Sequence, residues 1–273
     1  MTPRVGTPVR AFPWGRLVLG AALLGVVTIV GATATGRAPS GWWAALLGVA
    51  IVGTVGLGVF FAPLGLFARP IVAARGCVGT LALTFDDGPD PVATRRVLDL
   101  LEARGHRGTF FVIATKGAAQ PALLAEIAAR GHGLANHSLD HARTTAFLPP
   151  SRLAAELIRA ESILDAARGT GLRGRWFRAP VGIVSPRVAE AARRAKLELV
   201  SWTRTARDGT RGASVASALQ RLRPALRAGA ILVLHDGAER DDRVPIAPDV
   251  LESLLIELDA KSLRSVTLDE LLA

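Results

Sequence analysis

Two uncharged, largely apolar stretches near the N-terminus restrict this chain most. Leu17–Thr35 runs for 19 residues and Trp42–Ala68 for 27. About 20 apolar residues in a helix cross a hydrocarbon core of about 30 Å. Trp14, Trp42 and Trp43 stand where interfacial aromatics belong, and the glycines inside both stretches (Gly20, Gly25, Gly31, Gly48, Gly53, Gly56, Gly58) suit close helix contact. The pattern predicts a hairpin of two transmembrane helices, spans 17–35 and 42–68, within a membrane anchor of residues 1–75. Ala32-Thr33-Ala34 has the look of a signal cleavage site, but the apolar run is longer than the about 7–15 residues usual for signals. Arg4, Arg10 and Arg16 precede the first span, Arg37 alone lies between the two, and Arg69 and Arg75 follow. The positive-inside bias then places both ends, and residues 76–273 with them, in the cytoplasm.

Charge follows the same division. Of the net +10, residues 1–75 supply six Arg and no acid, while the remaining 198 residues hold 27 basic and 23 acidic groups. Excess charge beside apolar helices points to membrane phospholipid as a partner, and a mildly basic domain without a basic run excludes nucleic acid. The single cysteine, Cys77, rules out an internal disulfide framework and a cysteine-type structural zinc site.

From residue 76 onward strand and helix patterns alternate. Strands are expected at 81–85, 109–113, 133–136, 175–178, 197–202, 230–235 and 264–267. Helices are expected at 94–103, 121–130, 151–167, 186–195, 215–226 and 250–258. Such alternation implies an α/β fold with a parallel sheet of about seven strands. Reactive residues recur at the strand ends: Asp86 and Asp87, His137, Arg178 and His235. In parallel α/β folds active sites gather at the carboxyl ends of strands, so the pattern predicts an enzyme. His106 and His132, each beside Gly after a helix, are expected to be surface or capping residues.

His137-Ser138-Leu139-Asp140-His141 sets two imidazoles four apart, on one face if the segment makes a helical turn. That is metal-ligand spacing, and one carboxylate of the Asp86-Asp87 pair would complete a two-His, one-Asp set with open positions for water and substrate. Gly88-Pro89 turns the chain directly after the pair.

With Arg178-Ala179-Pro180-Val181-Gly182, the Trp202–Asp208 region and Leu232-Val233-Leu234-His235-Asp236, these segments resemble the five motifs of polysaccharide deacetylases. This is the NodB-homology domain of carbohydrate esterase family 4, and the likeness covers roughly 78–240. The resemblance implies a distorted (β/α) barrel and a divalent metal, zinc or alternatively cobalt or nickel. It implies Asp87, His137 and His141 as metal ligands, Asp86 as general base toward a water on that metal, and His235 as general acid. Arg178 would orient Asp86, Asp208 would steady Arg178 or His235, and Pro180, Val181, Trp202 and Val233 would meet substrate, with the Val181 N–H as oxyanion donor. Two departures stand out: Val181 replaces the usual aromatic, and Trp202 precedes Asp208 by six residues instead of following the motif's acid.

The expected reaction is removal of an N-acetyl or N-formyl group from an amino sugar in an oligosaccharide, a polysaccharide or a polyprenyl-linked saccharide. In a bacterium the chain would sit in the inner membrane with its site facing the cytoplasm, which favours the lipid-linked form. Two other readings compete: a two-His, one-carboxylate oxygenase, and a membrane-held glycan-binding domain without catalysis.

Overall fold

The computed structural model describes residues 6–37, 41–60, 64–142, 144–169, 174–238 and 244–272. At its centre is β3 (Thr80–Asp86), buried along its whole length. Leu81, Leu83 and Phe85 enter one apolar cluster while Ala82 enters another, as the period of two in a strand requires. Parallel neighbours extend from it on both sides. One side carries β4 (Gly108–Val112), β5 (Gly133–Asn136), β6 (Trp176–Phe177) and β7 (Glu198–Leu199); the other carries β9 (Ile231–His235) and then β8 (Arg204–Thr205). These seven parallel strands match the expected number, but β8 is not among the segments expected from the sequence. A short β10 (Arg264–Ser265) pairs with the start of β3.

Helices cover the outer face, except the last, which packs on the other face in the cluster containing Ala82 and Phe111. They are α3 (Ala93–Ala103), α4 (Ala114–Ala119), α5 (Pro121–Ala129), α6 (Pro150–Arg168), α7 (Pro186–Arg194), α8 (Val215–Leu222), α9 (Ala247–Ala260) and α10 (Leu268–Leu272). Their starts follow local chemistry. Proline opens α5 and α6, where its missing N–H costs nothing. Ser214 and Ser217 form a capping box on α8. The expected helix 215–226 stops at Leu222 because Pro224 cannot donate to a continuing α-helix, and residues 223–225 tighten into a 3₁₀ turn. Val97, Leu98 and Leu101 of α3 and Leu251, Leu254, Leu255 and Leu258 of α9 pack into the cluster containing Leu83 and Phe85, each burial contributing about 1.5–3 kcal/mol.

The two limbs flanking the apolar helices come together on this domain. β1 (Thr7–Arg10) pairs antiparallel with β2 (Ile71–Arg75). Between them lie α1 (Trp14–Ala34) and α2 (Trp42–Phe60), which pack against each other. β2 bridges Val200, just beyond β7, and Ala230, just before β9, and Ile71 is fully buried in the core. Gly6 N–H donates to the Leu271 carbonyl (2.9 Å) and Arg10 pairs with Glu198. Residues on both sides of position 75 therefore share one core.

Among the described helices, α1 is the one long and apolar enough to cross a membrane; Trp42–Gly58 is a shorter apolar helix. Of the expected span 42–68, residues 61–63 lie outside the described set, and 65–70 are not helical. There Leu66 is buried and its carbonyl accepts from Arg16 Nε (2.9 Å). His106 and His132 are buried instead of exposed. Each imidazole accepts a backbone N–H at Nδ1, from Ser265 (3.0 Å) and Gly108 (3.1 Å), and so ties strand starts together. Desolvation, with Arg130 and Arg107 nearby, pushes His132 down to about 4.

Candidate active site

Strand register gathers the site. Asp86, the last residue of β3, stands directly beside His235, the last of β9. His137 follows β5 with its N–H on the Val112 carbonyl, and Arg178 follows β6 with its N–H on Asn136. All therefore sit at one rim of the sheet, around a cavity of about 750 Å³ that Asp86, Asp87, His137, His141, Asp208 and His235 help to line.

Asp87 leaves the strand with φ 70°, which swings its side chain away from that of Asp86. Asp86 Oδ1 accepts from Arg178 Nη1 at 2.6 Å, and Oδ2 makes no hydrogen bond among the described residues. Arg178 is buried, and its Nη groups also donate to Thr84 Oγ1 (2.9 Å) and the Ser201 carbonyl (3.1 Å). Its guanidinium lies 3.9 Å from the Phe111 ring centroid. A buried pair of this kind fixes an orientation, and removing one partner leaves an uncompensated charge.

The second carboxylate faces the imidazoles. Asp87 Oδ1 lies 3.3 Å from Nε2 of both His137 and His141, is buried and has no hydrogen-bond partner. His137 Nδ1 contacts the Arg178 carbonyl at 2.9 Å. A carbonyl only accepts, so Nδ1 carries the proton and Nε2 presents a lone pair to Asp87. Two facing lone pairs need a cation or a proton between them. The ligand atoms of Asp87, His137 and His141 lie within 4.8 Å of one another, and two imidazoles with a carboxylate suit zinc, cobalt or nickel. The donor set fits a divalent metal.

The His137–His141 segment is not the helical turn the spacing suggests. Ser138 and His141 take φ of 71° and 57°, and the turn is held by Asn136 Oδ1 accepting from Ser138 N (2.8 Å) and Ser138 Oγ from His141 N (3.0 Å). Asp140 accepts from Ala142 N and takes no part in the ligand set.

Asp208 belongs to His235 and not to Arg178. Oδ1 meets His235 Nδ1 at 2.7 Å and Oδ2 accepts the His235 N–H at 2.9 Å. Burial would lower the imidazole's pKa, but Asp208, with smaller contributions from Asp86 and Asp87, pushes it up to about 9. His235 is thereby protonated at neutral pH, with Nδ1–H on Asp208 and Nε2–H left to donate.

Val181, Trp202 and Val233 line the cavity. Val181 adopts φ 56° and is exposed, which for a β-branched residue is a strained conformation. Pro180 does not line this cavity; it is buried and edges a small void beside Ala146 and Phe177.

Several supporting residues escape a sequence reading. Lys116 Nζ donates to the carbonyls of Asp87 (2.9 Å) and Ala238 (2.8 Å), joining two rim loops. Asp236, buried and pushed up to about 7 by desolvation, accepts from Thr94. A Cβ on Gly88 would lie 2.4 Å from its carboxylate, so that position needs glycine. Arg207 and Arg211 also line the cavity. Of these only Gly88 and Asp236 fall inside a recognisable motif; Lys116 and Asn136 act through contacts that no local pattern encodes.

Residues 74–200 match the polysaccharide deacetylase family model. A chitooligosaccharide deacetylase from Bradyrhizobium sp. is 36% identical over 62% of this chain and 78% of its own length. A peptidoglycan-N-acetylglucosamine deacetylase from Bacillus cereus is 32% identical over 70% of this chain and 87% of its own. Among solved structures, a family 4 acetyl xylan esterase from Clostridium thermocellum in complex with a cobalt ion superimposes with a TM-score of 0.62 at 27% identity, covering 70% of this chain and 89% of that one.

Proposed function

The chain belongs to the polysaccharide deacetylase family, and from that premise we propose that it is a metal-dependent hydrolase removing an N-acetyl or N-formyl group from an amino sugar. The observation that carries this reading is the convergence of three buried ligand atoms, Asp87 Oδ1 and the imidazoles of His137 and His141, between a carboxylate and an imidazole suited to proton transfer. When bound, a divalent metal, zinc foremost, would polarise the acyl carbonyl and acidify a water beside it. Asp86, oriented by Arg178 through Oδ1, has Oδ2 to accept that water's proton. His235, held by Asp208 and protonated near neutral pH, donates from Nε2 to the departing amine. The Val181 N–H, at the cavity wall, is the proposed donor to the developing oxyanion, and Trp202 and Val233 supply apolar surface for a sugar ring.

We also infer that α1 and α2 form a two-span anchor in a bacterial inner membrane. Their outward residues, Leu24, Val27 and Val30 on one helix and Val49, Val52 and Leu57 on the other, are exposed and apolar, a surface lipid would cover. Pairing of β1 with β2 supports an uncleaved hairpin, because loss of residues up to Ala34 would strip β1 from its partner. It also supports a tail and catalytic domain on one side of the membrane. The arginine distribution makes that side the cytoplasm, which favours a lipid-linked saccharide over assembled polymer.

The test is acetate release from N-acetylglucosamine oligomers by the zinc-loaded full chain and its Asp86→Asn variant. The variant is expected to lose about 10²–10⁴-fold in kcat while binding zinc as wild type does. Wild-type turnover by Asp86→Asn would refute the assignment.

A further inference from the structure

We propose that Arg207 and Arg211 form an anion subsite in the wall of the catalytic cavity, so that the acylated amino sugar accepted there carries a phosphate. The proposal rests on the hydrolase reading above and specifies its substrate. Both arginines line the same cavity as Asp86, Asp87 and the two ligand imidazoles. Several surface arginines elsewhere reach carboxylates, as Arg104 does Asp259 and Arg223 does Glu257, while others, Arg204, Arg221 and Arg264 among them, reach none among the described residues. Among the described residues Arg207 and Arg211 have no such partner. Among the described residues the carboxylates lining the cavity are already engaged, Asp86 with Arg178, Asp208 with His235, and Asp87 at the imidazole pair.

The loop that presents them is fixed. Arg207 holds φ 55°, its N–H donates to Thr205 Oγ1 (3.1 Å), and its carbonyl accepts from Thr210 Oγ1 (2.7 Å). Two guanidinium forks at a cavity wall match the several acceptors of a phosphate better than the hydroxyls of a neutral glycan.

The second observation concerns where the apolar helices join the domain. Ser201 N–H donates to the Ile71 carbonyl (2.7 Å) and Thr203 Oγ1 to the Val72 carbonyl (2.7 Å). The strand emerging from α2 thus runs beside Trp202, a wall of the cavity. A cavity whose wall is tied to the strand that follows the apolar helices is placed to meet sugars borne on a lipid phosphate.

The experiment uses the full chain in detergent with zinc and three substrates: N-acetylglucosamine 1-phosphate, its neutral methyl glycoside, and the same sugar phosphate on a polyprenyl carrier. Wild type is expected to prefer the phosphate-bearing substrates by about tenfold or more per arginine, and the preference should fall with salt. In an Arg207→Gln, Arg211→Gln double variant the ratio of kcat/KM should approach one, with partial recovery when lysine replaces glutamine. Calorimetric binding of N-acetylglucosamine 1-phosphate to the metal-free chain should weaken by the same factor. A lipid-linked substrate better than the soluble one assigns the phosphate to a carrier; equality assigns it to a soluble sugar phosphate; either supports the subsite. No preference in wild type, or an unchanged ratio in the double variant, overturns it. If no substrate releases acetate, the hydrolase reading fails, and the calorimetric comparison still decides the subsite.

Discussion

Asp208 determines what His235 can do. The carboxylate fixes Nδ1–H and lifts the imidazole to about 9 against the desolvation that would lower it. The sign follows directly. The folded pKa lies above the ordinary 6.5, so the stabilising effect of the proton is complete below about 6.5 and is lost as pH rises through about 9. A general acid with that pKa keeps working into the mildly alkaline range. In Asp208→Asn the raising charge is gone and burial dominates, so the alkaline limb of kcat/KM should move to lower pH. A pH profile of both proteins on one neutral substrate checks this, and coincident alkaline limbs would remove Asp208 from the mechanism. Asp87 makes the complementary point at the same scale. Its identity as a carboxylate was legible, but the left-handed φ of 70° that separates it from Asp86 depends on the turn it enters.

At the level of elements, the pairing of β1 with β2 deserves its own test because it fixes how the chain meets the membrane. Thr7 lies opposite Arg75, and antiparallel partners have Cα atoms about 4.5–5.5 Å apart, within disulfide range. A Thr7→Cys, Arg75→Cys variant, with Cys77→Ser to remove the native thiol, should cross-link on mild oxidation. After proteolysis in the loop between α1 and α2 its fragments should stay joined until reduced. Fragments that separate without reductant would show that the tail does not dock. No periodicity announced this pair, since β1 has four residues and its partner lies more than 60 residues away. β3, β4 and β9 were legible because their five to seven residues are largely buried, mostly apolar runs, whereas β5 carries only Leu134 as a large apolar residue. β6, β7 and β8 are two residues long, so expected strands at 175–178 and 197–202 shrank and β8 went unseen. The His137–His141 turn failed for a related reason. Hydrogen bonds from Asn136 and Ser138 override the helical geometry that a four-residue spacing suggests.

Across the whole molecule, the sequence order of the motifs carried more than their individual strength. Asp86, His137, Arg178 and His235 lie far apart in the chain, and the parallel register brings each to one rim. Alternation of strand and helix made that rim foreseeable. What the pattern could not supply was the support beneath it: Lys116 joining two loops, Asp236 under Gly88, and the arginines of the cavity wall. The central claim is that Asp87, His137 and His141 hold the metal on which hydrolysis depends. The most direct measurement determines zinc content and acetate release on the same samples of full chain and Asp87→Ala, before and after chelation and zinc add-back. The account predicts about one zinc per wild-type chain, activity lost on chelation and restored by zinc, and both zinc and activity absent from the variant. A variant that retains zinc and turnover, or a wild type indifferent to chelation, would contradict it.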